Sequence, residues 1–350
     1  MASSAPGGLA GARGGAGLTT YGKRGREWGL VKVAGVEEAL AGLRTELTGY
    51  CYRMLGSGND AEDAVQETFE RVLRAADRYD AARGSVRTWV YRIATNICVD
   101  LLRGSARRAL PIDLSVPGKA GEPFGALLAA GAEVRPVPDR LVLDLTQDPA
   151  TLVVRRESVR LAFVAALQHL PARQRSVLIL RDVLCWPAAE VATLLETSAA
   201  SVTSALQRAR ATLRTVAPRP GDVLDPSDGA QRELLARYCA AFESHDIAGL
   251  VSLLHEDATT SMPPFTWGLL GREQIGLAMG APEAACAGHR LVPVAASGQP
   301  AFWQLRPDGE GGHVPFALMM LDIVDNRVIN TTTWLELPMT APLWPLFQNS

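Results

Sequence analysis

The chain has 350 residues, 47% of them hydrophobic, and a formal net charge of −2 at neutral pH. That length supports two or three domains with sizeable cores. No run of about 18 apolar residues occurs, which excludes a membrane-spanning helix, and the opening MASSAPGGLAGARGGAG lacks the apolar stretch of a secretory signal. Five cysteines, Cys51, Cys98, Cys185, Cys239 and Cys286, stand far apart with no CxxC pair. A disulfide framework, a structural zinc site and a bound cofactor are therefore not expected, and a reducing cytoplasm fits. The near-neutral total hides an asymmetry: +4 over residues 1–110, −3 over 111–150, +6 over 151–219 and −9 over 220–350. Polyanion binding is expected in the earlier segments, and the acidic last third can lean on the basic segment before it.

In chain order, residues 1–34 are Gly/Ala-rich and read as a disordered tail. From Val36 to Arg108 the apolar period is helical. A first helix over Glu37–Leu55 stops at Gly56-Ser57-Gly58. Asn59 and Asp60 offer N-caps for a second helix reaching about Tyr79. On it Ala61, Ala64, Val65, Thr68, Phe69, Val72 and Ala76 share one face, while Asp63, Gln66, Glu67 and Glu70 form the opposite stripe. Such a stripe is a solvated surface or a docking surface, and periodicity leaves both open. Asp80–Gly84 is a turn. Ser85 caps a third helix with Val86, Trp89, Val90, Ile93, Ile97 and Leu101 inward and Arg92, Asn96, Asp100 and Arg103 outward.

Residues 111–150, with recurrent Pro and Gly, read as a linker, flexible in part. Helices return over Arg155–Leu170, Ala172–Val183 and Ala188–Leu195. A tight connection at Glu196–Ser198 leads into Ala200–Thr215, which carries Arg208, Arg210 and Arg214. Short helix, turn and longer basic helix is the helix-turn-helix layout. Pro218–Gly229 reads as a second linker. Helices over Ala230–Ser244 and Ile247–Leu254 then precede strands Thr259–Met262, Arg290–Ala296, Ala301–Arg306, Val314–Val324 and Arg327–Leu337. Asp325-Asn326 suits the hairpin turn between the last two. The expected fold class is multidomain, two all-α modules plus an α+β domain. Its divisions are 1–34, 35–110, 111–150, 151–217 and 218–350.

Residues 36–215 resemble an extracytoplasmic-function (ECF) sigma factor of bacterial RNA polymerase. AEDAVQETFERVL is similar to the region 2 helix of that sigma-70 family, SVRTWVYRIATNICVDLLR to the promoter-melting helix, and LPARQRSVLILRDVLCWPAAEVATLL with SVTSALQRARATLR to region 4. The matches come in the family's order. The resemblance implies that core RNA polymerase is a partner through its β′ clamp helices and β flap. It also implies that Asp63, Gln66, Glu67 and Glu70 dock on the clamp helices, where carboxylates meet arginines in charge-assisted bonds.

It further implies that the −10 element is held as single strand by a pocket for an extruded base and by cations along the backbone. Asp80, Arg83, Ser85, Arg92, Asn96 and Arg103 are the candidates. Trp89 is expected in the core, and Arg107 and Arg108 either contact phosphates or solubilise a helix end. At the −35 element the candidates are Ser201, Thr203, Ser204, Gln207, Arg208 and Arg210, with Val202 and Leu206 packing inward. Thr203 and Ala205 depart from the family pattern, where basic residues are frequent, and this lowers the expected salt dependence of −35 binding.

LLARYCAAFESHDIAGLVSLLHEDATTSMPP, GREQI, SGQPAFWQLRPDG and PFALMMLDIVDNRV resemble the SnoaL-like branch of the NTF2-like cone fold, an extension found in sigma factors of the sigma-G/sigma-J kind. The resemblance implies a C-terminal domain that packs on the sigma modules and tunes them from within the chain. Related cones include ketosteroid isomerases, for which His255, Asp257, His313 and Asp322 are the available pocket groups. Trp267, Phe302, Trp303, Met319 and Trp334 either line a small-molecule pocket or form the domain core. The expected function is that of a non-enzymatic sigma factor. The alternatives are a stand-alone helix-turn-helix regulator and a cone-fold isomerase or hydrolase.

Overall fold

The structure, a computed structural model, describes residues 18–216, 221, 224–225, 227–281, 286–337 and 342–348, with side chains described from Val36 onward except that of Arg83. Helices α1 (Leu18–Leu55), α2 (Gly58–Arg74) and α3 (Val86–Leu102) form the first unit. The expected tail at 1–34 is helical from Leu18, and the rest of it lies outside the described residues. Gly22, Gly25 and Gly29 are carried within the helix. Gly56, at φ +76°, ends α1. Ser57, not Asn59 or Asp60, caps α2, its side chain accepting from the Asp60 N–H. Asp60 instead pairs with Arg108. Helix α2 also stops before Tyr79, giving way to a 3₁₀ turn over Ala76–Arg78.

Ser85 caps α3 as expected, accepting from the Thr88 N–H at 3.1 Å. Val86, Trp89 and Ile93 pack against the core as expected, but the buried face of α3 is wider and is shifted at its end. Val90, Tyr91, Ala94, Ile97 and Cys98 are buried while Leu101 is 50% exposed. The cause is a second covering surface, because Trp186 packs on Tyr91 with ring centroids 4.8 Å apart.

Residues 111–150 are not a free linker. They form α4 (Pro111–Leu114), β1 (Val116–Pro117) and α5 (Asp139–Val142), with Val134, Val137 and Val142 buried. The second helical unit comprises α6 (Pro149–Glu157), α7 (Leu161–Leu167), α8 (Ala172–Leu178) with a π turn over Ile179–Val183, α9 (Ala188–Leu194) and α10 (Ala199–Val216). The single helix expected over Arg155–Leu170 is broken at Ser158–Arg160. There Arg53 donates to the Ser158 carbonyl (3.0 Å) and hydroxyl (2.7 Å), and the Leu161 N–H donates to Gln299 (2.9 Å). Tertiary partners thus satisfy groups that an unbroken helix would pair internally.

The last unit holds α11 (Gly229–Glu243), α12 (Ile247–Leu253), β2 (Leu254–Ser261), β3 (Trp267–Leu270), α13 (Arg272–Met279), β4 (Arg290–Ala296), β5 (Gln299–Pro307), β6 (His313–Val324), β7 (Arg327–Leu335) and α14 (Trp344–Phe347). Much of the expected linker at Pro218–Gly229 lies outside the described residues. Among the described residues the sheet order is β1-β3-β2-β7-β6-β5-β4. Asp325 and Asn326, both at positive φ, make the β6–β7 turn.

Successive side chains of a strand point to opposite faces, and here both faces are covered. Phe302, Met319, Leu321 and Ile323 pack with Leu234, Tyr238 and Phe242 of α11. Ala301, Trp303, Leu318, Met320 and Trp334 instead join one apolar core that runs through both helical units. Among the described residues no helix is long and apolar enough to cross a membrane.

Candidate polymerase and promoter interfaces

Helix α2 sorts its acids. Glu62 turns back to α1, accepting from Arg44 at 3.2 Å, and Asp60 pairs with Arg108. Asp63, Gln66 and Glu70 are exposed and Glu67 is half-buried, opposite the buried Ala61, Ala64, Val65 and Thr68. Arg71 and Arg74 bond Glu67 and Glu70 one turn back. Such exposed i,i+4 pairs are worth a few tenths of a kcal/mol and yield readily to a partner's arginine. The row is therefore accessible and only weakly committed within the chain.

The loop before α3 builds a recess. Asp80 accepts from the Ala82 N–H at 3.0 Å, and the Tyr79 hydroxyl donates to the Gly84 carbonyl at 3.1 Å. Arg78, Tyr79, Gly84, Thr88, Trp89 and Arg92 line a cavity of about 100 Å³. Trp89 packs against the core as expected, but it is only half-buried and stacks obliquely on Tyr79, ring centroids 5.3 Å apart, so that one side faces this recess. Asn96 is exposed one turn beyond Arg92. Arg103 is exposed and pairs with Asp100 at 2.8 Å. Ser85 is spent on the helix cap, and the side chain of Arg83 lies outside the described residues. Arg107 lies against His169 (2.7 Å) and Arg108 against Asp60.

In the helix-turn-helix, Glu196 at φ +52° turns the chain between α9 and α10. Ser198 caps α10, accepting from the Ser201 N–H at 3.1 Å. Val202, Leu206 and Ala209 are buried, while Ser201, Thr203, Ser204, Gln207 and Arg208 are exposed on the same end. Arg210 is exposed too, and has a partner within the chain. It forks onto Asp182 at 2.9 and 2.7 Å, linking α10 to the π turn. Arg92 of α3 likewise has an unexpected partner. It pairs with Glu196 at 3.1 Å and donates to the Thr193 carbonyl at 3.0 Å, joining the first unit to the tip of the helix-turn-helix.

Residues 41–108 match the family description Sigma-70 region 2, and residues 160–213 match Sigma-70, region 4. The chain is 45% identical over 309 residues to the ECF RNA polymerase sigma factor SigG of Mycobacterium tuberculosis, covering 87% of this chain and 81% of that protein. This chain is an ECF RNA polymerase sigma factor. It is also 33% identical over 217 residues to SigJ of the same organism, covering 62% of this chain and 61% of that protein. The crystal structure of M. tuberculosis SigJ superposes with a TM-score of 0.52 at 25% identity, over 87% of this chain and 96% of that one. As a sigma factor it binds core RNA polymerase and directs promoter recognition in transcription initiation.

The sigma factor's third unit grips the other two through the β4–β5 turn, which sequence reasoning missed. Ser297 and Gly298 both lie at positive φ. Ser297 Oγ meets the Tyr52 hydroxyl of region 2 at 3.1 Å and accepts from the Val137 N–H at 3.1 Å. The Gly298 N–H donates to Asp139 at 2.8 Å. A Cβ on Gly298 would stand 2.6 Å from the Arg156 carbonyl, so only glycine fits this close approach. Nearby, Arg160 reaches Asp322 at 3.1 Å. The sequence signal available was the Ser-Gly pair between two strand-like runs, but nothing in it named the partners.

The candidate isomerase groups each have partners of their own. Asp322 accepts from Arg160, from Gln299 (2.6 Å) and from Asn330 (3.2 Å), which holds it as an ion-paired link between units. His255 accepts from the backbone N–H of Asp257, whose side chain is exposed. His313 lies at the outer end of β6 beside the Gly288 carbonyl. The aromatic set is also divided. Phe302 and Met319 face α11, Trp303 and Trp334 face the sigma regions, and Trp267 packs on Phe124 at 5.5 Å.

Proposed function

We propose that the structure is the resting state of the sigma factor, with α3 of region 2 held against the tip of its helix-turn-helix and latched by the C-terminal domain. The observation that carries this is the Arg92–Glu196 contact at 3.1 Å. Elements centred near −10 and −35 lie about 25 base pairs, or about 85 Å, apart along B-DNA. A protein whose α3 touches its own helix-turn-helix cannot read both at once. Transcription requires regions 2 and 4 to separate, and that means parting Trp186 from Tyr91 and freeing the Ser297-Gly298 turn.

In the open state Asp63, Gln66, Glu67 and Glu70 dock on the β′ clamp helices, and region 4 reaches the β flap. The Tyr79–Trp89 recess takes an extruded −10 base, with Asp80, Arg83, Ser85, Arg92, Asn96 and Arg103 around it. Ser201, Thr203, Ser204, Gln207 and Arg208 face the −35 groove, and Arg210 supports them. The divisions 35–110, 151–217 and 218–350 then move as units joined by 111–150. The factor works where the polymerase is, in the cytoplasm, and contributes no catalytic residue.

Two measurements test this. Asp63→Lys with Glu67→Lys removes co-elution with purified core polymerase; normal co-elution would sink the docking assignment. Glu196→Gln breaks an exposed ion pair worth up to about 1 kcal/mol, and so raises run-off transcription up to about fivefold. Unchanged output means that closure does not limit activity.

A further inference from the structure

A cavity of about 460 Å³ opens where region 2, the segment around α5 and region 4 meet, within the size range of small-molecule sites. Three arginines from three segments line it: Arg53 of α1, Arg140 of α5 and Arg155 of α6. Two acids share the wall, Glu46 and Asp144. Glu46 is neutralised by Arg87 at 2.7 and 2.8 Å and by the Tyr91 hydroxyl at 2.6 Å. Asp144 lies toward solvent and accepts from Thr146 at 2.6 Å.

Arg53 is 2% exposed, yet its bonded partners, the Ser158 carbonyl and hydroxyl, are neutral. A buried cation without a facing anion is costly. Burial and the nearby Arg155 depress the Arg53 guanidinium to about 10. Arg140 Nε and Gln147 Oε1 are also buried without a hydrogen-bond partner, one an unused donor and the other an unused acceptor. Buried polar atoms are nearly always paired. Leu145 and Leu184 give the remaining wall an apolar character.

We propose that this cavity binds a small organic phosphate. Its anionic group sits between Arg53 and Arg155, and its uncharged body lies against Leu145 and Leu184. A phosphate dianion suits guanidinium forks, and the three arginines outnumber the exposed Asp144. Because the walls come from three segments, the ligand binds only when they are assembled, and it stabilises the closed arrangement by linkage. That consequence rests on the resting-state reading above; binding itself does not.

The test uses the full chain in phosphate-free buffer, with AMP as probe and inorganic phosphate, adenosine and citrate as comparators. AMP raises Tm by about 4 °C at a hundredfold excess over Kd, and adenosine does not. Arg155→Gln weakens AMP at least tenfold in a calorimetric titration. Arg155 also donates to the Val183 carbonyl at 2.8 Å, so a second variant guards against misfolding. Nothing lies within 4 Å of where a Cβ on Gly42 would stand, at the cavity rim. Gly42→Phe fills the space without changing charge and restricts the unfolded chain. It folds and loses the AMP response.

No response to millimolar AMP or phosphate overturns the site, as does an equal response to adenosine. A response that survives in Gly42→Phe places the ligand elsewhere, and a response to citrate alone overturns the phosphate assignment. AMP also lowers run-off transcription by the wild type and not by Gly42→Phe. Binding without that effect refutes the resting-state reading and leaves the site standing.

Discussion

Asp139 is 2% exposed and accepts from the Gly298 N–H across 159 residues of sequence. Burial pushes its carboxyl up to about 6. The folded chain therefore holds this proton more tightly than the unfolded chain, whose aspartates titrate near 3.9. The stabilising contribution is complete below about pH 4 and is lost as pH rises through about 6. Stability to urea is accordingly expected to be greater at pH 5 than at pH 7.5. Asp139→Asn keeps an oxygen acceptor for Gly298 and carries no charge. It should gain up to about 3 kcal/mol at pH 7.5 and flatten the pH dependence. Identical pH profiles for the variant and the wild type would remove Asp139 from the account. Nothing in the proline-rich segment around this residue announces such a role, because its partner is a turn in another unit. Asp322 shows the same limit: as a sequence it is a candidate pocket acid, and in three dimensions it is Arg160's counter-charge.

Helix α10 separates two arginines that are equivalent in sequence. Arg208 is exposed on the reading end, whereas Arg210 is forked onto Asp182. Arg208→Ala is expected to cut promoter-dependent transcription about tenfold and to reduce the salt slope of DNA binding by about 1, with Tm unchanged. Arg210→Ala should instead lower the Tm slightly, with the salt slope retained. Run-off assays and melting curves distinguish the two, and a reversed pattern would exchange their roles.

Elements with their own period and caps were legible from the chain: α3 behind Ser85, the helix-turn-helix, and the β6–β7 hairpin at Asp325-Asn326. The break between α6 and α7 was not, because Arg53 and Gln299 create it from afar. The ordered path of residues 111–150 was hidden for a similar reason. β1 is only two residues long and exists by pairing with β3, in register Val116↔Trp267.

At the scale of the molecule, the C-terminal sheet is the shared wall of two cores. Trp303 is 2% exposed, edge-on to Trp344 at 4.8 Å and to Phe347 at 5.8 Å. Trp303→Ala is expected to cost about 3–5 kcal/mol. It should also split heat unfolding into two transitions, because this face couples the sheet to the sigma regions. A single transition of unaltered width would show that the units are not joined there. Deleting the C-terminal domain outright would expose the same apolar face of the helical units, so point substitutions report on regulation more cleanly than truncation.

The acidic row of α2 stays open to solvent while Arg92 of α3 is tied to the tip of the helix-turn-helix. On the proposed docking and resting state, recruitment and initiation would be uncoupled in time, and polymerase would carry the factor before any promoter is engaged. Core enzyme occupied in this way would be unavailable to competing sigma factors although it starts no transcript. The closed population would then do more than wait, because its abundance would set how much free enzyme every other promoter in the cell can draw upon.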